Sequence, residues 1–597
     1  MRFLSTFFAS LLAFFVAIGL LFILTIAIVA SSSSDPEPYI QENTVLKIDL
    51  SGTLSMRADQ DPFEALFNEG DIPLSIESLT DVLEKAAVDE RISGIWLETE
   101  FIGGSWVALE EAHRLLTQFK EESGKFVLAS TTDLGFDEKG YYLASTAETI
   151  YAPSQAYFEF NGFVMQLSYY QELLNKIGVE PEIFHVGKYK SAVEQWLTDE
   201  ISPADREQRE ALLAQVKSEF LSKVSLKTGL SVAELDDLMD ELYTGSMGDG
   251  HAAGLIDDLA FPNDIRKAVA EAAGIEEVDD LELVDFGRYA KVSRREAGLQ
   301  ENSSDNELAV VYASGAIMPS IPSDFPFETD DAITFEALNK TLDELEDDDD
   351  VKGVILFVES PGGSASTSEL IWNRLKTFSE TKPIYTYMGS VAASGGYYIA
   401  AGTQKIYASP NTITGSIGIF RTMFNAEELM NDRLGITLSE VQTDPHADIL
   451  TMTRPLTGAE RRALQNATNQ GYERFLEVVA ESRNMTRDEV HALAQGRVWP
   501  GSMAQEAGLV DGLGTLDDAL AALADEAGLE DYVIERYPAP KDPIEELLGT
   551  SSQMMAQWSI QWLPEPLQEV LNQPMMEDPK AISRQTWALW PVKIDIQ

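Results

Sequence analysis

Apolar residues fall along this chain in two alternating patterns. Short β-branched runs such as Ile92-Ser93-Gly94-Ile95-Trp96-Leu97 and Val351-Lys352-Gly353-Val354-Ile355-Leu356 each precede a stretch with helical spacing, Val107 to Phe119 and Ser366 to Phe378. Runs of this kind, alternating with helices, predict parallel βαβ crossovers in which helices cover the sheet. The order then recurs. Phe126-Val127-Leu128-Ala129 and Gly140-Tyr141-Tyr142-Leu143-Ala144 in the first half match Pro383-Ile384-Tyr385-Thr386 and Gly396-Tyr397-Tyr398-Ile399-Ala400 in the second. Gly140 and Gly396 stand 256 residues apart, and the same interval separates Ile150-Tyr151-Ala152 from Ile406-Tyr407-Ala408. The pattern predicts two diverged copies of one α/β unit, at 44–285 and 307–540. A linker at 286–306 joins them, and its Arg294-Arg295 pair reads as a solvated patch.

Outside the repeat the pattern changes. Phe7 to Ala30 is apolar apart from Ser10, Thr25 and small residues, with Arg2 before it and four serines after it. At about 1.5 Å rise per residue this run spans a bilayer core of about 30 Å. A cleaved signal peptide expects a shorter apolar core and a small residue where Ile28 stands, so residues 1–30 read as one transmembrane helix. The positive end stays inside, and everything after Ser31 is translocated. Residues 31–43 then form a short tether. The last stretch, 541–597, carries Met554, Met555, Trp558, Trp562, Trp587 and Trp590. It suits a packed tail, an amphipathic cover over an apolar cleft, or an oligomer contact.

Composition narrows the chemistry. With 43 basic against 99 acidic residues the net charge is −56, which excludes nucleic acid as a natural partner and fits either a salty medium or simple solubility. There is no cysteine, hence no disulfide, thiolate metal site or cysteine nucleophile. The five histidines, His113, His185, His251, His446 and His491, show no metal-ligand spacing, and a Ser/His/Asp triad would have to draw its base from among them. No metal and no cofactor are expected.

Two glycine-rich segments carry the candidate chemistry. The strand Gly353 to Val358 runs into Glu359-Ser360-Pro361-Gly362-Gly363-Ser364, where paired glycines let backbone N–H groups point outward, as in an oxyanion cradle or a plain turn. The next strand leads to Val391-Ala392-Ala393-Ser394-Gly395-Gly396-Tyr397-Tyr398. Ser394 at a helix start is either a nucleophile or an N-cap. The repeat separates these readings: the first copy keeps Gly-Tyr-Tyr but has Glu138-Lys139 in place of Ser394-Gly395, so the fold does not require the serine. A serine hydroxyl needs a base. Lys190, in Gly187-Lys188-Tyr189-Lys190-Ser191-Ala192-Val193, has small and apolar neighbours that could desolvate an amine, although spacing alone does not separate it from an exposed surface lysine.

Together the anchor, Gly187 to Glu194, Ser360 to Ser364, Ala393 to Tyr398 and Thr414-Gly415-Ser416-Ile417-Gly418 resemble the long, duplicated form of the signal peptide peptidase A family, bacterial membrane-bound serine proteases. The resemblance implies a tandem pair of units with the crotonase and caseinolytic-protease (ClpP-like) superfold. It also implies a Ser/Lys dyad split between the copies. Ser394 would be the nucleophile, Lys190 the general base, Gly363 and Gly395 the oxyanion-hole donors, and Ser416 the residue that positions the lysine. It further implies a homotetramer at the bacterial inner membrane, facing the periplasm, that degrades hydrophobic signal-peptide remnants. Gln195-Trp196 and Arg421 depart from the family's pattern. A crotonase-type acyl-thioester enzyme and an inactive envelope scaffold are the competing functions; the first explains Gly363 and Gly395 but leaves Ser394 and Lys190 without a task, and the second has a precedent in the first copy, where Glu138 replaces the serine.

Overall fold

The computed structural model describes residues 38–57, 74–132, 134–241, 245–300, 303–319 and 332–538, and the backbone of Trp587–Leu589. The apolar run Phe7 to Ala30 and nearly all of the tail 541–597 lie outside the described residues. Among those described, no helix is long and apolar enough to cross a membrane.

The duplication is plain in the sheets. In the first half the strands Leu283–Asp285, Thr44–Leu54, Ile92–Gly104, Phe126–Ser130, Thr149–Ala152 and Asp258–Leu259 lie side by side in that order, every pair parallel. In the second half Val533–Tyr537, Glu307–Ser314, Val351–Ser360, Ile384–Ala393, Lys405–Ala408 and Gly512–Leu513 repeat the order, again all parallel. Even side-chain bonds recur. Tyr141 donates its hydroxyl to Leu255 O at 2.7 Å, as Tyr397 does to Leu509 O at 2.8 Å. Ile150 N and Ile406 N donate to Asp257 and Asp511, both at 2.8 Å.

Burial explains the strand composition. Val354, Ile355, Leu356 and Val358 are inaccessible because helices cover both faces of their sheet, so no polar alternation appears. The helices carry the apolar stripe that this demands. Ala365–Phe378 turns Ile371, Trp372, Leu375 and Phe378 inward and is capped by Ser364, whose hydroxyl accepts from Thr367 N at 3.3 Å. Each such buried side chain contributes roughly 1.5–3 kcal/mol.

The segment predicted as a linker is packed on the first unit. Phe286, Tyr289 and Val292 recur at threes and bury one face, and Tyr289 donates its hydroxyl to the buried Asp89 at 3.0 Å. Arg294 pairs with Asp81 and Glu84, each at 2.7 Å.

A further sheet ties the two copies together. Glu180–Val186 of the first half pairs antiparallel with Ile419–Asn425 of the second over seven residue pairs. The long helix Pro203–Thr228 then meets the second half at Val498 and Ser502. Ser390 and Ser105 share a hydrogen bond at 2.6 Å, and Asn411 Nδ2 donates to Glu110 at 2.8 Å.

Candidate active site

Ser394 lies between the strand Ile384–Ala393 and the helix Gly395–Ala400, with φ 58° and ψ −112°. A non-glycine residue in this region is strained, and such strain persists only where surrounding structure fixes it. Here the neighbours do so. Ser394 N donates to Gly415 O at 2.8 Å, and Tyr398 N to Ser394 O at 2.9 Å. A Cβ on Gly396 would come 2.7 Å from Ser360 O, so the helix start can approach the neighbouring strand only with glycine there.

The N-cap alternative for this serine falls on the same geometry, because its side chain makes no capping bond. In the first copy Asp137 caps the equivalent helix, accepting from Gly140 N at 2.6 Å. Glu138, the counterpart of Ser394, accepts backbone N–H bonds from Asn161 and Gly162 at 2.7 and 3.0 Å. The first copy fills this position with a structural carboxylate.

The Ser394 hydroxyl meets Lys190. Nζ lies 2.8 Å from Ser394 Oγ, 2.9 Å from Ser416 Oγ and 3.0 Å from Ser416 O. Ser394 is 0 % and Lys190 1 % exposed. Burial lowers the lysine to about 7, since a charged amine there would lose its water without a facing carboxylate. A neutral amine has two N–H bonds and one lone pair. Directing both N–H bonds at Ser416 leaves the lone pair for the Ser394 O–H, the arrangement a general base requires.

Local sequence accounts for this approach. The turn Gly187 to Ser191 presses on Gln495 to Arg497 of the second half, and Tyr189 N donates to Gln495 O at 2.9 Å. A Cβ on Gly496 would sit 2.6 Å from the Lys190 Cβ, and one on Gly187 would sit 2.3 Å from the Gln495 carbonyl group. Of the five described non-glycine residues with positive φ, Ser394, Ser416 and Gln495 surround the lysine; the other two are asparagines, which tolerate that region.

Gly395 follows Ser394 as the first residue of its helix. Gly363 sits on the strand Gly362–Ser364, where a Cβ would come 2.0 Å from Ile317 O. Ser360 shapes this turn, its hydroxyl donating to Gly315 O at 2.6 Å and accepting from Gly362 N at 3.2 Å. The five sequence candidates thus fall in two groups. Lys190 contacts both Ser394 and Ser416; Gly363 and Gly395 lie on the neighbouring strand Gly362–Ser364 and at the helix start.

The histidines are engaged elsewhere. His113 meets Ser145 at 3.4 Å, His251 Ile256 O at 2.9 Å, His446 Glu460 at 2.9 Å and His491 Tyr472 at 2.8 Å, while His185 lies opposite Phe420 in the inter-copy sheet. One feature escaped the sequence reading: the Gln495-Gly496 turn that receives the lysine, whose only signal was a glycine after a helical stretch. Of the tail, which the sequence offered as a packed segment, a cleft cover or an oligomer contact, the backbone of Trp587–Leu589 pairs antiparallel with Gly362–Ser364 on one side and meets Phe420 on the other.

A family model described as Peptidase family S49 matches residues 120–276 and again 376–530, and one described as Clp protease matches 327–417. A chloroplastic serine protease SPPA of Arabidopsis thaliana is 31% identical over 83% of this chain and 71% of that protein. Protease 4 of Salmonella typhi is 32% identical over 83% of this chain and 80% of its own length. Protease 4 of Haemophilus influenzae is 30% identical over 93% and 92%.

Proposed function

Because this chain belongs to peptidase family S49, in tandem ClpP-like units, and is a serine protease, we propose that Ser394 is its nucleophile and Lys190 its general base. The observation that carries the assignment is the 2.8 Å contact between a fully buried serine and a fully buried, deprotonatable lysine.

The chemistry follows from the contact. Lys190 Nζ accepts the Ser394 proton as Oγ attacks the scissile carbonyl. The oxyanion that forms is held by the N–H groups of Gly363 and Gly395, which need no reorganisation because backbone fixes them. The ammonium returns its proton to the departing amine, leaving an ester on Ser394. A water molecule, deprotonated by the same amine, hydrolyses the ester and releases a carboxylate. Ser416 keeps the amine aimed through both half-reactions. Each copy contributes one part of the dyad, so neither half acts alone.

The substrates are released signal-peptide remnants, extended and apolar. Resemblance to the signal peptide peptidase A family supports this, as does the backbone edge at Gly362–Ser364, which accepts an antiparallel strand in the pairing with Trp587–Leu589. The run Phe7 to Ala30 anchors the protein in the bacterial inner membrane with the proteolytic part outside, and the working form is a homotetramer, as the family's larger members are.

A fluorophosphonate probe tests the dyad. Wild-type enzyme is expected to label; Ser394→Ala folds normally and does not label, while Lys190→Ala folds normally and loses about 10²–10⁴-fold in labelling rate and peptidase activity. Labelling that persists in Ser394→Ala, or full activity in Lys190→Ala, removes the assignment.

A further inference from the structure

Lys190 has no helix or strand of its own; it sits in a turn between Glu180–Val186 and the 3₁₀ segment Ser191–Val193. A long flexible side chain on a turn would ordinarily sample many positions. What holds this turn is the helix Pro203–Thr228, and one side chain in particular. Gln208 Nε2 lies 3.2 Å from Tyr189 O, 2.9 Å from Ser191 Oγ and 2.8 Å from Asp205 Oδ1. These contacts grip the residues on either side of Lys190. The other end of the same amide faces the second copy, with Oε1 accepting from Val498 N at 3.1 Å.

Val498 matters because of what it pairs with. Val498–Pro500 lies antiparallel to Ile413–Gly415, with Val498 opposite Gly415. Gly415 O accepts from Ser394 N, and the adjacent Ser416 N donates to Arg497 O at 2.6 Å. One amide therefore spans from the turn that bears the lysine to the strand that sets the register of Ser394 and Ser416.

Its orientation is fixed. Ser191 Oγ donates to Asp205 Oδ1 at 2.6 Å, and Arg209 Nε donates to Asp205 Oδ2 at 2.8 Å. A flipped amide would set its carbonyl oxygen against the carboxylate and leave Val498 N facing an NH₂ group. Gln208 is 0 % exposed, and Ser191, Asp205 and Arg209 are buried with it, so water cannot substitute for a lost partner.

Resting on the dyad reading above, we infer that Gln208 is a positioning residue for catalysis: with Asp205 fixing its amide, it clamps the Lys190 turn of the first copy onto the Ser394 strand register of the second. It does not touch the reacting atoms, and it acts through the lysine.

The test uses the full-length enzyme and four variants. Gln208→Glu keeps the shape but replaces the donor by an oxygen facing Asp205, and Gln208→Met keeps the volume with no polar end. Gln215→Ala, two turns further along the same helix, removes a different inter-copy bond, the one Gln215 Oε1 accepts from Ser502 at 2.7 Å, and serves as the control. Lys190→Ala tests the dyad itself.

At matched folded fraction, both Gln208 variants are expected to slow fluorophosphonate labelling of Ser394 at least tenfold. Peptide KM should stay within about twofold, and the midpoint of the pH–rate profile should rise towards the ordinary lysine value of about 10.4 as water reaches the amine. Gln215→Ala should leave that midpoint in place. If either folded Gln208 variant retains the wild-type midpoint and rate while Lys190→Ala is inactive, the clamp is refuted and the dyad stands. If Lys190→Ala labels at the wild-type rate, the dyad reading itself fails.

Discussion

Lys190 meets Ser416 twice, Nζ lying 3.0 Å from its carbonyl oxygen and 2.9 Å from its hydroxyl, while the same residue holds a positive φ of 51°. The backbone strain and the double contact belong together: the strained conformation brings carbonyl and hydroxyl to one nitrogen. Ser416→Ala removes one of the two anchors and leaves the other. A single such bond is worth about 1–2 kcal/mol, so kcat should fall about tenfold with KM nearly unchanged. Steady-state kinetics on an extended apolar peptide would check this, and a change confined to KM would place Ser416 in substrate binding instead.

The lysine also sets a pH dependence. Burial lowers it to about 7, so below that pH the amine is an ammonium that cannot accept the serine proton. Acylation is expected to fall about tenfold per pH unit below the midpoint and to level off above it. Labelling rates that stay flat between pH 6 and 9 would exclude Lys190 as the base.

Glu110 gives an opposite and separable signal in stability. It lies half-buried where the two copies meet, accepting from Asn411 Nδ2 at 2.8 Å and from the Ser409 hydroxyl, and desolvation there raises it to about 8. Its folded value lies above the unfolded one, so the folded state holds an extra proton between about 4.5 and 8. Its contribution is therefore full at low pH and is lost as pH rises through 8. Glu110→Gln keeps the acceptor and cannot ionise. The difference in Tm between variant and wild type should grow in the variant's favour from pH 6 to pH 9. A constant difference would show that Glu110 does not carry the extra proton.

How much of this was legible in the sequence follows from the range of each contact. Strands and helices are local, and the 256-residue interval between Gly140 and Gly396 exposed the duplication that the shared strand order displays. The comparison of Ser394 with Glu138 is legible for the same reason: two copies of one motif show which residues the fold needs. Lys190 could be singled out from the residues only with the help of family resemblance, because its burial depends on Gly496, some 300 residues later. Gln208 gave no signal at all. A glutamine on an amphipathic helix looks like surface until a strand from the other copy is laid over it, and its bond to Val498 spans 290 residues. The linker at 286–306 was misleading in the opposite sense, since its polar residues hid the Phe286, Tyr289 and Val292 stripe that packs it down.

The edge at Gly362–Ser364 supports a final prediction. Trp587–Leu589 pairs there antiparallel, Gly363 opposite Ala588, and reaches Phe420 across the gap. This places the chain's own backbone where an extended peptide would add as a strand beside the Gly363 N–H. The two must then compete, and the tail holds an advantage because it is tethered and its effective concentration is high. An enzyme ending at residue 584 should therefore cleave extended apolar peptides with a lower KM. A small fluorophosphonate needs only Ser394, Lys190 and the oxyanion donors, so its labelling rate should be unchanged by the truncation. Adding a synthetic peptide of residues 585–597 in trans should restore the higher KM as a competitive inhibitor. Unchanged peptide kinetics after truncation would show that the Gly362–Ser364 edge is not where substrate adds; a parallel loss of fluorophosphonate labelling would show instead that the tail supports the site.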